Sequence, residues 1–277
     1  MEDIKLLFIC PGYLIAEKIL RKMGLKYQLT FVDEPWPSFD SKVELHVIKG
    51  NNFQQILTSL METEFDAVVY LASMFSTISK KSIPKIDFEQ LYQTLEFVSN
   101  KGIAKLIYAS SVCVSGFVSH KVDYKPLYIP IDEEHPCLPH EPHGLVKWIG
   151  ELLCEQYSRA YGIECICLRF GQLDFTHSIS STDNEDNWFK SIVRIENVLQ
   201  ALELSLKYNK YDMEIPFKSF YISDAETSML QNSLDFIKTT YPEMPPPVKD
   251  LNYFANAPKG SLFSNQLAIR ELGYNPD

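Results

Sequence analysis

Positive charge is scarce in this chain: 26 lysines and arginines stand against 36 aspartates and glutamates, a formal net charge of −10. A polyanion such as DNA is repelled by that average field unless a local basic patch offsets it. The longest basic runs are the pairs Arg21-Lys22 and Lys80-Lys81, which read as solvated helix faces, so nucleic acid is excluded as a partner. Long apolar runs are missing as well. No stretch approaches the roughly 18 apolar residues of a membrane span, so no membrane partner is expected. The acidic start Met1-Glu2-Asp3-Ile4-Lys5 runs straight into a strand and lacks the form of a signal peptide. The six cysteines are scattered, and only Cys165 and Cys167 are close. They lie in an apolar, strand-like run whose alternation puts both thiols on one face as small hydrophobes rather than metal ligands. The expectation is a soluble, reduced, cytoplasmic protein.

What is present is enough apolar material for a core: 45% hydrophobic residues over 277 positions. The N-terminal half alternates apolar strands with amphipathic helices. Strands are predicted at residues 5–10, 28–32, 44–48, 66–72, 104–109 and 164–169. Helices are predicted at 15–23, 53–61, 88–100 and 151–161, the last beginning near Gly144. This order argues for an α/β, Rossmann-type, doubly wound parallel sheet with helices on both faces. After Gly171 the pattern changes: 178–187 is polar and loop-like, and 189–208 reads as one long helix. Four prolines fall within 241–248. The expected domains are therefore a Rossmann-like domain over 1–171 and a small substrate lobe over 172–277, with segments near 217–240 and 250–256 returning to the main sheet.

An ordered set of segments resembles the extended branch of the short-chain dehydrogenase/reductase superfamily, the branch that holds the NAD-dependent sugar-nucleotide epimerases and dehydratases. The turn Cys10-Pro11-Gly12-Tyr13-Leu14-Ile15 is similar to its dinucleotide loop. Asp66-Ala67-Val68-Val69-Tyr70-Leu71-Ala72 resembles its D-x-V-x-H-L-A strand. Ser110-Ser111-Val112-Cys113-Val114-Ser115-Gly116 is similar to S-S-x-x-V-Y-G. Pro142-His143-Gly144-Leu145-Val146-Lys147, followed by Glu151, resembles P-Y-G-x-x-K-x-x-x-E. Leu168-Arg169-Phe170-Gly171, the segment from Phe217 to Asp224 and Leu272-Gly273-Tyr274-Asn275-Pro276 match later elements.

The resemblance implies a site for NAD formed by Cys10, Gly12, Tyr13, Leu14, Asp33, Asn51, Leu71, Ala72, Lys147 and Phe170. Of the three loop glycines only Gly12 is kept, because Cys10 and Ile15 replace the others. Ile15 is the more serious change, since a β-branched side chain stands where close helix approach is wanted. Asp33, about 20 residues past the loop, suits the adenosine ribose hydroxyls, or else is a solvated carboxylate before Glu34-Pro35-Trp36-Pro37. No arginine follows it to hold a 2′-phosphate, so NAD is favoured over NADP.

In the resembled family a Ser or Thr orients the substrate oxygen, a Tyr transfers its proton and a Lys four residues on holds the nicotinamide ribose. Ser111 and Lys147 match the first and third, and His143 stands at the Tyr position. An imidazole exchanges protons near pH 6.5, and a neighbouring ammonium pushes that value down. His143 would then be neutral, usable as a base and poor as an acid. Tyr70 reads as a wall residue, Tyr124 and Tyr128 as candidates for a displaced phenol. His135, His140 and His143 lack a recognised metal spacing. The reading that results is an NAD-dependent epimerase, dehydratase or reductase for a small polar substrate such as a nucleotide sugar. Its rivals are a non-catalytic binding protein and a non-redox enzyme using His143 as base. The resemblance also implies a homodimer paired through the helices at 88–100 and 144–161, with Trp148 and Ile149 as candidate contacts.

Overall fold

The structure is a computed structural model that describes residues 4–9, 12–36, 44–49, 51–72, 85–117, 125–175, 191–209 and 214–277. Strand β1 (Lys5–Ile9) is followed by helix α1 (Tyr13–Met23), whose N-cap is Gly12. Gly12 has φ 72°, a positive-φ conformation that side chains resist, at the start of this helix. α1 buries Ile15, Ala16, Ile19 and Met23, one face at helical spacing, and ends on Arg21 and Lys22, which favour the negative end of the helix dipole. Next come β2 (Gln28–Asp33), β3 (Glu44–Val47), α2 (Phe53–Ser59), β4 (Ala67–Tyr70), α3 (Lys85–Lys101) and β5 (Lys105–Ser111). A 3-10 turn (Val112–Ser115), α4 (Pro142–Tyr161) and β6 (Glu164–Phe170) follow. The remainder holds β7 (Gln172–Asp174), β8 (Ile192–Arg194), α5 (Ile195–Lys207), β9 (Phe217–Ile222), α6 (Ser233–Thr240), α7 (Leu251–Asn256) and α8 (Gln266–Leu272).

Seven strands form one sheet in the order β3-β2-β1-β4-β5-β6-β9. β1 pairs in parallel with both β2 and β4, so the winding direction reverses between them. In such sheets ligands bind at the carboxyl ends of the strands that flank the reversal. β4 is buried along its whole length, as its continuous apolar run requires. The Rossmann-type parallel architecture expected from the strand–helix alternation is what the chain forms. One element departs from expectation. The segment read as a single helix over 189–208 contains β8, which pairs in parallel with β7, and the helix starts only at Ile195. Ile192 and Val193 are β-branched, and the Arg194 N–H donates to Asp224 Oδ1 at 2.9 Å, drawing that backbone into an extended path. Among the described residues no helix is long and apolar enough to cross a membrane.

The chain divides into two compact units that interleave along the sequence. The first comprises Met1–Ser110, Ile149–Cys167 and Ser205–Lys218. Its core joins Leu7, Ile9, Val68, Tyr70, Leu106 and Tyr108 of the strands to Leu91, Leu95 and Val98 of α3. Cys154, Cys165 and Cys167 are fully buried in that core, and burial beside the other two thiols holds Cys154 neutral. The second unit comprises Ser111–Trp148, Leu168–Leu204 and Ser219–Asp277. Its core gathers Val112, Phe117, Ile129, Ile131, Tyr221, Phe254, Leu262 and Phe263. Lys249 pins its surface by donating to Asp132 at 2.5 Å and Glu134 at 2.7 Å.

Candidate functional site

In the first unit, Asp33 closes β2 beside Gly12. Its side chain is not the solvated carboxylate that the proline-flanked turn allowed, because only 4% of the residue is exposed. Asp33 Oδ2 accepts from Gly12 N–H at 2.9 Å and from the Trp36 indole N–H at 2.8 Å, while Oδ1 accepts from Glu34 N–H at 2.8 Å. Burial raises the carboxyl above its usual range, and these three donors oppose the rise. Trp36 packs edge-on against Phe31 and Tyr13, at centroid distances of 5.2 and 6.0 Å. Ile15 is fully buried, so α1 closes over its β-branched side chain without the missing glycine. Residue types here suit a dinucleotide: a positive-φ glycine opening a helix for the phosphates, and a buried acid at the end of β2 for a ribose diol. The acid is already engaged by the chain itself.

In the second unit, the catalytic candidates come from two neighbouring elements. Ser111 ends β5 and caps the 3-10 turn, accepting from Cys113 N–H at 3.2 Å. His143 and Lys147 occupy the first turns of α4, one turn apart and therefore on one face. Gly144 lets these two elements meet, since a Cβ there would stand 2.4 Å from the Cys113 carbonyl oxygen. Lys147 is 2% exposed. Burial first, and the Lys147 charge second, push the His143 imidazole down to about 4. His143 is therefore neutral through the physiological range. The Cys113 thiol, next to Ser111 and Glu141, is pushed up to about 12 by burial and then by the Glu141 charge, which removes it as a nucleophile near neutral pH.

The other sequence-predicted residues are distributed as follows. Leu71 and Ala72 are buried just past β4, Phe170 is buried at the end of β6, Leu14 is 58% exposed on α1, and Asn51 is exposed ahead of α2. Tyr70, expected as a wall residue, is buried, with its ring 6.0 Å from that of Tyr108. Cys10 and Tyr124 lie outside the described residues. Tyr128 is committed elsewhere: its hydroxyl donates to Asp132 at 2.6 Å, and burial and that carboxylate push it up to about 12. His135 accepts from Leu127 N–H at 3.0 Å through Nε2, which leaves Nδ1 to donate to the Pro136 carbonyl at 2.9 Å. Among the described residues no group of three or more His, Cys, Asp or Glu is placed to hold a metal ion. Trp148 and Ile149 are half-buried.

Sequence reasoning passed over Glu133 and Trp36. Glu133 accepts from Tyr221 N–H at 2.8 Å, and burial pushes its carboxyl up to about 7 against that bond and the Arg169 charge. Its partners lie 36 and 88 residues further along the chain, so no local pattern announces them. Trp36 offered a clearer signal, a lone indole three residues beyond the acid.

A model of the NAD dependent epimerase/dehydratase family matches residues 14–177. A putative UDP-glucose 4-epimerase of Methanocaldococcus jannaschii is 38% identical over 79 residues, which is 28% of this chain and 24% of that protein. That alignment thus spans about a quarter of the relative's length. Among solved structures, the UDP-glucose 4-epimerase of Thermotoga maritima with UDP-glucose superposes with a TM-score of 0.68 at 16% identity, covering 99% of this chain and 94% of that one. The L-threonine dehydrogenase of Clostridium difficile gives a TM-score of 0.69 at 15% identity, covering 100% and 94%. Those likenesses speak to the fold, and the match over residues 14–177 speaks to ancestry: the chain belongs to the NAD dependent epimerase/dehydratase family.

Proposed function

We propose that the protein binds NAD, in preference to NADP, and acts on a nucleotide-linked sugar, with Ser111, His143 and Lys147 at the reacting centre. The observation that carries this reading is the neutral imidazole of His143 one turn from the buried Lys147, with the intervening Gly144 packed against the Cys113 carbonyl, two residues past Ser111. NAD, when bound, supplies a hydride acceptor. Ser111 Oγ orients a substrate oxygen, and His143 accepts its proton. The Lys147 ammonium favours the oxyanion that forms and opposes a second positive charge on the imidazole. The nucleotide-sugar class is supported by the relatives in sequence, which are UDP-glucose 4-epimerases. Asp33, with no arginine after it, supports NAD.

The test is to incubate the protein with NAD and either UDP-glucose or UDP-galactose and follow interconversion by proton NMR. Turnover that disappears in His143→Phe is expected. A protein that binds NAD and converts neither sugar fits a second reading, ligand binding without turnover. One observation favours that reading: an imidazole near 4 hands a proton back poorly at neutral pH. We also propose a homodimer through α3 and α4, supported by the exposed Phe88, Tyr92, Leu152 and Tyr161 on these helices, and checked by light scattering.

A further inference from the structure

We infer that Trp36 is the chain's own occupant of the adenosine-ribose position, so that a dinucleotide binds only by displacing the indole from Asp33. This rests on the reading of the protein as an NAD binder. A carboxylate has about four acceptor positions, and a ribose diol needs to reach them with two O–H donors. Three positions on Asp33 are filled by the chain: Glu34 N–H on Oδ1, and Gly12 N–H together with Trp36 Nε1–H on Oδ2. Two of those donors are backbone groups fixed by the ends of α1 and β2. The third is a side chain, and it is the one that can leave.

The indole is held by more than its hydrogen bond. Its ring meets Phe31 at an interplanar angle of 65° and Tyr13 at 61°, so β2 and the first residue of α1 both grip it. The arrangement also answers an electrostatic need. Asp33 is buried, and each donor a buried carboxylate loses costs stability, so the indole N–H compensates the third position when no ribose is there. Indole and diol are therefore alternatives at one oxygen. Trp36→Phe separates the two roles of the side chain: it keeps an aromatic ring against Phe31 and Tyr13 and removes the competing donor.

The experiment titrates NAD into the wild-type protein and Trp36→Phe by calorimetry. In parallel it follows the indole N–H resonance of Trp36, assigned by its loss in the variant, through the wild-type titration. About tenfold tighter NAD binding by Trp36→Phe is expected, the size of one charge-assisted hydrogen bond no longer competed for. The wild-type Trp36 resonance is expected to move as NAD saturates. If NAD binds the wild type while that resonance stays in place, or if Trp36→Phe binds it equally or more weakly, the inference is overturned and the NAD reading stands. If neither protein binds NAD, both fall together.

Discussion

Lys147 stands one helical turn beyond His143 on α4, and its charge adds to burial in driving the imidazole down to about 4. The ring is therefore neutral through the physiological range. The pH dependence of activity follows from this. Turnover should be flat from pH 6 to 8 and decline only as the pH approaches 4, where the imidazole takes up a proton. Lys147→Met removes the repelling charge and should move the His143 inflection upward, toward 6.5. NMR titration of the imidazole C–H resonances in both proteins measures this without any substrate. A wild-type inflection near 6.5 would contradict the burial that the structure gives His143.

The same depression makes a stability prediction. Because the folded value lies below the unfolded one, the unfolded chain binds the extra proton first, and stability is lost as the pH falls from 6.5 toward 4. The contribution is about 3 kcal/mol across that window. Chemical denaturation of wild type and His143→Asn at pH 7 and pH 4.5 should show about 2–3 kcal/mol less acid destabilisation in the variant. Equal losses in the two proteins would place the protonation elsewhere.

Gly144 supplies a geometric prediction. A methyl group at this position would meet the Cys113 carbonyl at 2.4 Å, so Gly144→Ala must push the first turn of α4 away from the turn that carries Ser111. A displacement of roughly 1 Å between reacting groups costs on the order of a hundredfold in rate. The variant should remain folded by circular dichroism and lose most of its kcat, with a smaller change in KM. Retention of full kcat would show that Ser111 and His143 do not act together.

Much of this was legible beforehand, for physical reasons that differ from element to element. The strands at Lys5–Ile9, Ala67–Tyr70 and Lys105–Ser111 announce themselves because burial on both faces demands unbroken apolar runs. The candidacy of Ser111, His143 and Lys147 came from the resemblance to a known family, and the structure adds that Ser111 ends β5 while His143 and Lys147 lie one turn apart on α4. β8 was hidden because Ile192, Val193 and Ile195 satisfy a helical stripe as readily as a strand, and the choice is made by Asp224, 30 residues from Arg194. The engagement of Asp33 was hidden for another reason: spacing locates a carboxylate but does not say which donors reach it first.

A buried ion pair carries a fourth prediction. Lys105 Nζ lies 3.2 Å from Glu164 Oε2 and also donates to the carbonyls of Ser205, Leu206 and Tyr208 at the end of α5. Burial lowers the Lys105 value and raises that of Glu164, and their mutual attraction only partly offsets both shifts. Lys105→Met should cost about 3 kcal/mol in urea denaturation, because it strands the carboxylate and uncaps the helix. Lys105→Met combined with Glu164→Leu should recover part of that loss. A double variant no more stable than the single one would show that the helix carbonyls, and not Glu164, are what Lys105 serves.

The grip of Lys105 on Tyr208 spans 103 residues of chain, and the first unit is completed only by its third segment, Ser205–Lys218. During synthesis a ribosome would therefore release strands β1 to β5 long before the last piece of their own unit exists, leaving their apolar faces to wait through the whole intervening stretch. Nascent chains halted short of residue 205 should bind chaperones and yield to protease, and protection should arrive abruptly once the residues through 218 have emerged.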